Sequence, residues 1–301
     1  MRVRALLSIT LLCLAAARPA RACSVCGCDP AAGTLGLDRP STRSFRFGVE
    51  DRLLSKESGT GDAAESEREN RAVLRLQYAP LTRLTLQAEV PAFLWKRHLN
   101  AAGVQDDDGH GLGDVGFSAR YELWRAGGFV PKHVLAVIAG LKLPTGANDR
   151  HLDGEEPDEH LQVGTGSFDE TVGLSYVYGA RPWTAFASVS ARLNGANSRS
   201  FRYGHALFGS AGVRRMFLES ERLILSLEAQ VRSAGKDRAA GGVYDDDSGG
   251  QVYYGTASAA FALTDDLLLR GTVQLPVASS LNGTQAEHPV GYLQLTYDFA
   301  L

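Results

Sequence analysis

The residues best suited to chemistry in this chain are three thiols within six positions, Cys23-Ser-Val-Cys26-Gly-Cys28. Thiolates at that density suit a soft metal such as Cu(I) or Zn(II), which makes Cys23, Cys26 and Cys28 candidate ligands. A zinc site normally takes four ligands, and Asp29 is a poor fourth. A c-type haem needs Cys-x-x-Cys-His, but Gly27 stands where the histidine would be. In an oxidising compartment two of the three would instead pair as a disulfide. A third reading makes Cys23 a lipidated N-terminus.

Acidic runs form a second group: Asp106–Asp108 with His110, Glu155-Glu156 with Asp158, Glu159 and His160, and Asp245–Asp247. They could bind Ca²⁺ or Mg²⁺ and bridge lipopolysaccharide phosphates, or be solvated loop tips. Nucleophilic catalysis finds little support. There is no Gly-x-Ser-x-Gly elbow. His98, His110, His151, His160 and His288 fall between the apolar segments, and His205 has no evident paired serine. No enzyme is expected, because a nucleophile needs an identifiable base and orienting group.

The third group is charged residues set at alternate positions within apolar runs: Arg75, Arg120, Arg192, Arg232 and Arg270, against Glu89, Asp114, Glu122, Glu228 and Asp298. Their setting is what identifies the elements. Leu84, Leu86, Ala88, Val90, Ala92 and Leu94 alternate with Thr85, Gln87 and Glu89; Leu223, Leu225, Leu227, Ala229 and Val231 alternate with Ser226, Glu228, Gln230 and Arg232. A period of two sustained over nine or more residues is a strand signal, and these strands exceed the usual five or six residues. Twelve segments are predicted, near 43–53, 71–79, 83–94, 113–125, 132–143, 167–178, 182–194, 204–217, 222–233, 251–263, 267–276 and 289–300. The connections between them alternate short and long. That rhythm predicts an all-β fold: one transmembrane antiparallel barrel of about twelve strands, with short periplasmic turns and long extracellular loops.

Two other features agree. Met1-Arg-Val-Arg4, the 13-residue, mainly apolar run Ala5–Ala17 and Ala20-Arg-Ala22 read as a secretory signal peptide, its apolar run too short to span a bilayer. Its expected removal near Ala22 takes four of the 31 basic residues and none of the 34 acidic ones, leaving a formal charge of −7. A chain of that charge is a poor partner for nucleic acid. Residues 1–22 are thus signal, 23–42 a periplasmic cysteine-containing segment and 43–301 the barrel. Alternation does not say which face points outward, and a soluble β-sandwich would bury the same leucines. Size favours a wet lumen: about twelve strands enclose more space than side chains fill. Then Trp95, Trp124, Trp183, Tyr78, Tyr178 and Phe217 would form interfacial girdles, and the ten alternating charges above would line the lumen as salt bridges, giving weak ion selectivity.

Three further segments appear in order: Gly111-Leu-Gly-Asp-Val-Gly-Phe-Ser-Ala-Arg-Tyr121, Gly140-Leu-Lys-Leu-Pro-Thr-Gly146 and Gln162-Val-Gly-Thr-Gly-Ser-Phe-Asp169, followed by Pro276-Val-Ala-Ser-Ser-Leu-Asn-Gly283. They resemble the outer-membrane "MetA-pathway of phenol degradation" family of transporters over roughly residues 40–301. The C-terminus, Tyr297-Asp-Phe-Ala-Leu301, departs from the terminal aromatic common in such barrels. The resemblance implies a barrel and the uptake or diffusion of small, often aromatic, compounds. The expected function is passive passage of small solutes across the outer membrane, with lipid, lipopolysaccharide and a small-molecule solute as partners, no cofactor for transport, and the oligomeric state left open. The alternative is a plugged structural or metal-handling barrel, whose Cys23–Cys28 segment binds Cu, Zn or a periplasmic partner.

Overall fold

The computed structural model describes residues 40–59, 64–99, 105–128, 131–150, 159, 162–217 and 222–300. The expected signal peptide and all of Cys23, Cys26 and Cys28 lie outside them. The strands are β1 (Ser44–Ser58), β2 (Glu65–Leu81), β3 (Leu84–Leu99), β4 (Gln105–Leu112), β5 (Gly116–Ala126), β6 (His133–Lys142) and β7 (Asp169–Ala180). They continue as β8 (Trp183–Asn194), β9 (Ala206–Phe217), β10 (Leu223–Ala234), β11 (Gly250–Ala262), β12 (Leu267–Leu281), β13 (Ala286–Glu287) and β14 (Val290–Ala300).

Every pairing is antiparallel, and β1 pairs with both β2 and β14, so the sheet closes on itself. Two staves are interrupted. β4 and β5 both pair with β3, one above the other, and β13 and β14 both pair with β1. The fourteen segments therefore make a closed barrel of twelve strands. Closure removes the sheet edges, which in lipid would leave backbone groups unsatisfied.

The walls rise higher than the sequence pattern predicts. β2 has 17 residues where 71–79 is expected, and the expected loop 95–112 holds the end of β3 and all of β4. The extensions, such as Glu65-Ser-Glu-Arg-Glu-Asn70 on β2, are polar on both faces. Alternation reports a contrast between lipid and lumen. Above the membrane both faces meet water, the contrast vanishes, and the ladder continues without its signature.

The leucine faces point outward. Leu227 is 65% exposed, and Leu76, Leu174, Leu207, Val273 and Leu293 share that surface, while Arg52, Gln274 and Glu122 on the inner face are 1–2% exposed. That excludes the sandwich, which would bury the leucines. Aromatics gather near the periplasmic strand ends: Phe45 stacks on Tyr78 at 4.4 Å, and His133 lies 4.9 Å from Tyr178 and 5.8 Å from Trp124. Outward-facing Arg215 sits over Trp183 and Phe217, 5.1 and 4.6 Å from their centroids. Trp95 stands at the other end of the wall, under Arg97 at 5.0 Å. These are the amphipathic side chains that suit a membrane–water boundary.

Candidate functional site

The site is the lumen and the segment folded across its extracellular mouth. Between β4 and β5 the chain leaves the ladder at Gly113-Asp114-Val115. Gly113 N still donates to Pro91 O (2.8 Å), and Thr145, in the loop after β6, takes over the rest: its hydroxyl accepts from Val115 N (2.8 Å) and donates to Gly113 O (3.2 Å). The break turns Asp114 inward, where it is 8% exposed.

Asp114 gathers three stretches of chain. Its Oδ1 accepts from Gly146 N at 2.9 Å; its Oδ2 accepts from Thr165 N at 2.9 Å, Thr165 Oγ1 at 2.7 Å and Lys142 Nζ at 2.8 Å. Lys142 also reaches Asp169 Oδ2 at 2.7 Å and donates to Thr165 Oγ1, while Asp169 Oδ1 accepts from Ser167 Oγ and Gly195 N. Charge-assisted bonds of this kind are the stronger class. The backbones meet with no room for side chains: a Cβ on Gly164 would lie 2.3 Å from Gly146 O, and one on Gly146 would lie 2.9 Å from Gly113. The three glycine-bearing motifs of the sequence are thus three sides of one knot.

Further ties hold the mouth. Lys96 Nζ donates to Gln162 O (3.1 Å), Glu159 binds Arg199 (2.7 Å) and Asn197 (2.9 Å), and Tyr203 donates to Glu159 O (2.7 Å). The hydrogen bond from the Glu159 carboxylate holds the Arg199 guanidinium above its already high usual pKa. Beneath Gln162–Thr165 lies a cavity of about 1450 Å³, solvent-open space included, lined by Arg71, Phe93, Lys96, Ile138, Arg192 and Tyr203 among others.

Lower down, the wall carries paired ions. Arg75 bridges Glu50 (2.8 Å) and Glu89 (2.7 Å), Arg52 binds Glu50 (2.6 Å) and stacks over Tyr292, and Glu122 lies between Arg120 (2.9 Å) and Arg125 (2.7 Å). Arg46 and Asp298 form a two-pronged pair at 2.6 and 2.7 Å. Nearer the extracellular end, Arg232 pairs with Glu287, which also accepts from Tyr254. Arg192 lies over Phe208, Glu228 is in register with Gly212 and Thr256, and Arg270 with Ala260 and Gln294. All ten sequence-selected charges sit on the inner face, but they are spread over its height, and only Asp114 belongs to the knot.

Removing one member of a buried pair strands the other. Glu122→Ala, which deprives buried Arg120 of its carboxylate, should therefore cost roughly 3 kcal/mol. The check is the urea midpoint of the folded form in detergent; Glu122→Gln should lose less.

Sequence reasoning missed Lys142, Thr165 and Asp169. Parity could have found Lys142, which shares a face with Ala136, Ile138 and Gly140, but that inner face is apolar and small, so β6 reads as buried throughout. The acidic runs are dispersed. Asp107 and Asp108 pair along β4 with His98 and Arg97 of β3, and His110 lies on the same strand. Glu155, Glu156, Asp158 and His160 fall outside the described residues. Asp247 accepts from Thr284 N at 2.8 Å, Asp245 from Asp247 N, and Lys236 holds exposed Asp246 below the usual carboxylate pKa. Among the described residues no group of three His, Cys, Asp or Glu is placed to hold a metal ion.

A closed twelve-stranded antiparallel barrel with an apolar outer wall, aromatic rims and a polar, ion-paired lumen belongs to the outer-membrane class of β-barrels. Within that class the chain belongs to the family described as MetA-pathway of phenol degradation, whose model matches residues 57–281. Among solved structures it is similar to an outer membrane channel from Pseudomonas putida F1, with a TM-score of 0.70 and 17% identity over 87% of this chain and 98% of that one. It also aligns with the translocator domain of the autotransporter NalP from Neisseria meningitidis, with a TM-score of 0.49 and 12% identity over 89% of this chain and 92% of that one. No curated protein matches it by sequence.

Proposed function

We propose that this protein is a passive outer-membrane channel for small solutes, narrowed at its extracellular mouth by the Asp114 knot. The observation that carries the reading is a polar lumen with a solvent-open cavity directly beneath an inward-folded segment. The barrel holds its interior open with ion pairs rather than filling it with apolar side chains, and Phe93, Val73 and Ile138 give the cavity an apolar flank. A small, partly apolar or aromatic molecule suits such a space. The family's name, with its reference to phenol degradation, points the same way.

The purified protein should fractionate with the outer membrane, migrate faster on a gel when unheated, and give discrete single-channel steps in a planar bilayer. Recovery as a detergent-free periplasmic protein would end the membrane reading. A folded, heat-modifiable protein without conductance would end the channel reading and leave a plugged barrel.

A further inference from the structure

We infer that solutes cross the barrel along one side of the lumen, the inner face of β8–β12, and that the small hydroxyls set there favour solutes carrying hydroxyl groups. The inference rests on the channel reading above. The inner face is not equally filled around its circumference. One row of cross-strand partners runs from Glu122 through Ala136, Ser175 and Ser188 to Ser210 and Gln230. Its first three members are packed shut, at 2%, 0% and 5% exposure, while Ser188, Ser210 and Gln230 are half-buried. Ser175 and Ser188 are both serines and lie side by side, so packing across the lumen, not side-chain size, separates them.

The packed side carries long side chains bonded in pairs along β1, β3 and β5: Arg52 with Glu50, Gln87 with Glu89, and Arg120 with Glu122. On β8–β12 the inward positions hold short hydroxyl side chains instead: Ser188, Ser190, Ser210, Ser226, Ser258 and Thr272, with Glu228 among them. All six hydroxyl residues are half-buried, so part of each meets the lumen.

These hydroxyls form a continuous track. Ser188 bonds Ser210 at 2.9 Å, and four residues below Gln230 the residues Ser226, Ser258 and Thr272 are direct cross-strand partners. A cavity of about 290 Å³, solvent-open space included, lies on the upper part, lined by Ser188, Ser190, Ser210 and Gln230 among others. Arg192, which lines the larger cavity under the mouth, is the next inward residue above Ser190. A hydroxyl both donates and accepts, and inward positions recur along a strand every two residues, roughly 7 Å. A solute hydroxyl released by one serine therefore meets the next after a short step, and bonds that are individually weak let it leave. A hydrocarbon of the same size has no bond to exchange.

The test uses the full-length protein in planar bilayers and proteoliposomes, each variant being scored on protein that passes the unheated gel shift. Ser210→Cys and Ser258→Cys channels should lose about half or more of their single-channel conductance on reaction with a bulky methanethiosulfonate reagent, because the adduct stands in the route. Ser175→Cys and Thr85→Cys, inward but buried, should respond as wild type does, whose own Cys23, Cys26 and Cys28 set the baseline. Combining Ser188→Ala, Ser210→Ala, Ser226→Ala and Ser258→Ala should lower xylitol entry relative to KCl conductance at least about threefold, the scale of one lost hydrogen bond. Threonine at the same four positions should restore the ratio. No block at Ser210→Cys and Ser258→Cys, or an equal block at Ser175→Cys and Thr85→Cys, overturns the one-sided route. An unchanged xylitol ratio in the alanine variant overturns the hydroxyl preference; each of these results leaves the channel standing. No conductance at all overturns the channel reading and the track together.

Discussion

Asp114→Ala should convert the narrowed mouth into an open one, seen as a several-fold rise in single-channel conductance and faster entry of small sugars into proteoliposomes. Asp114 accepts four bonds from three separate stretches of chain: the end of β6 at Lys142, Gly146 in the stretch just after it, and Thr165 in the stretch before β7. With alanine, Lys142 keeps Asp169 but the backbone amides of Gly146 and Thr165 lose their acceptor. Losing one partner of a buried charge network costs on the order of 3 kcal/mol. Applied to a closed-to-open equilibrium, that is roughly a hundredfold. The wall itself should be untouched, because Gly116–Glu122 of β5 keep their ladder to β3 and β6. Unchanged conductance in a folded variant would show that the knot is not the constriction. Gly164→Ala should act in the same direction from a different cause, since its Cβ would collide with Gly146 O.

Leu227→Arg should nearly abolish insertion, while Gln230→Arg on the same strand should be tolerated. Leu227 is the fifth residue of β10, faces outward at 65% exposure, and is flanked in register by Val213 and Ala257. An arginine on the lipid face near the midplane costs about 2–4 kcal/mol. Gln230 faces the lumen and accepts from Gln274 Nε2, so an arginine there stays hydrated. The measurement is the folded fraction on unheated gels after refolding into lipid vesicles. Equal effects, or the reverse order, would mean that the outer face has been misassigned.

How far the site could be read from sequence differs between its parts. The wall charges were legible as a set, because Arg75, Glu89, Arg120 and Glu228 occupy the polar positions of a strict period of two, so parity places them opposite the leucines. The knot was legible only as motifs. Gly113-Asp114, Pro144-Thr-Gly146 and Gly164-Thr-Gly-Ser167 could be recognised as glycine-rich strand exits, but nothing local says that Asp114 accepts from Gly146, 32 residues away, or from Thr165, 51 residues away.

By itself, then, the sequence determined the strand period, the alternation of short and long connections and hence the number of staves, because these are local consequences of a chain that must meet lipid on one side and water on the other. It left the tops of β1, β2 and β3 and all of β4 unmarked, since strands wet on both faces carry no contrast. Only the tertiary structure decided which face points outward and that three distant motifs close on one aspartate. Those are properties of closure: the barrel brings together residues whose separation along the chain says nothing about their distance across it.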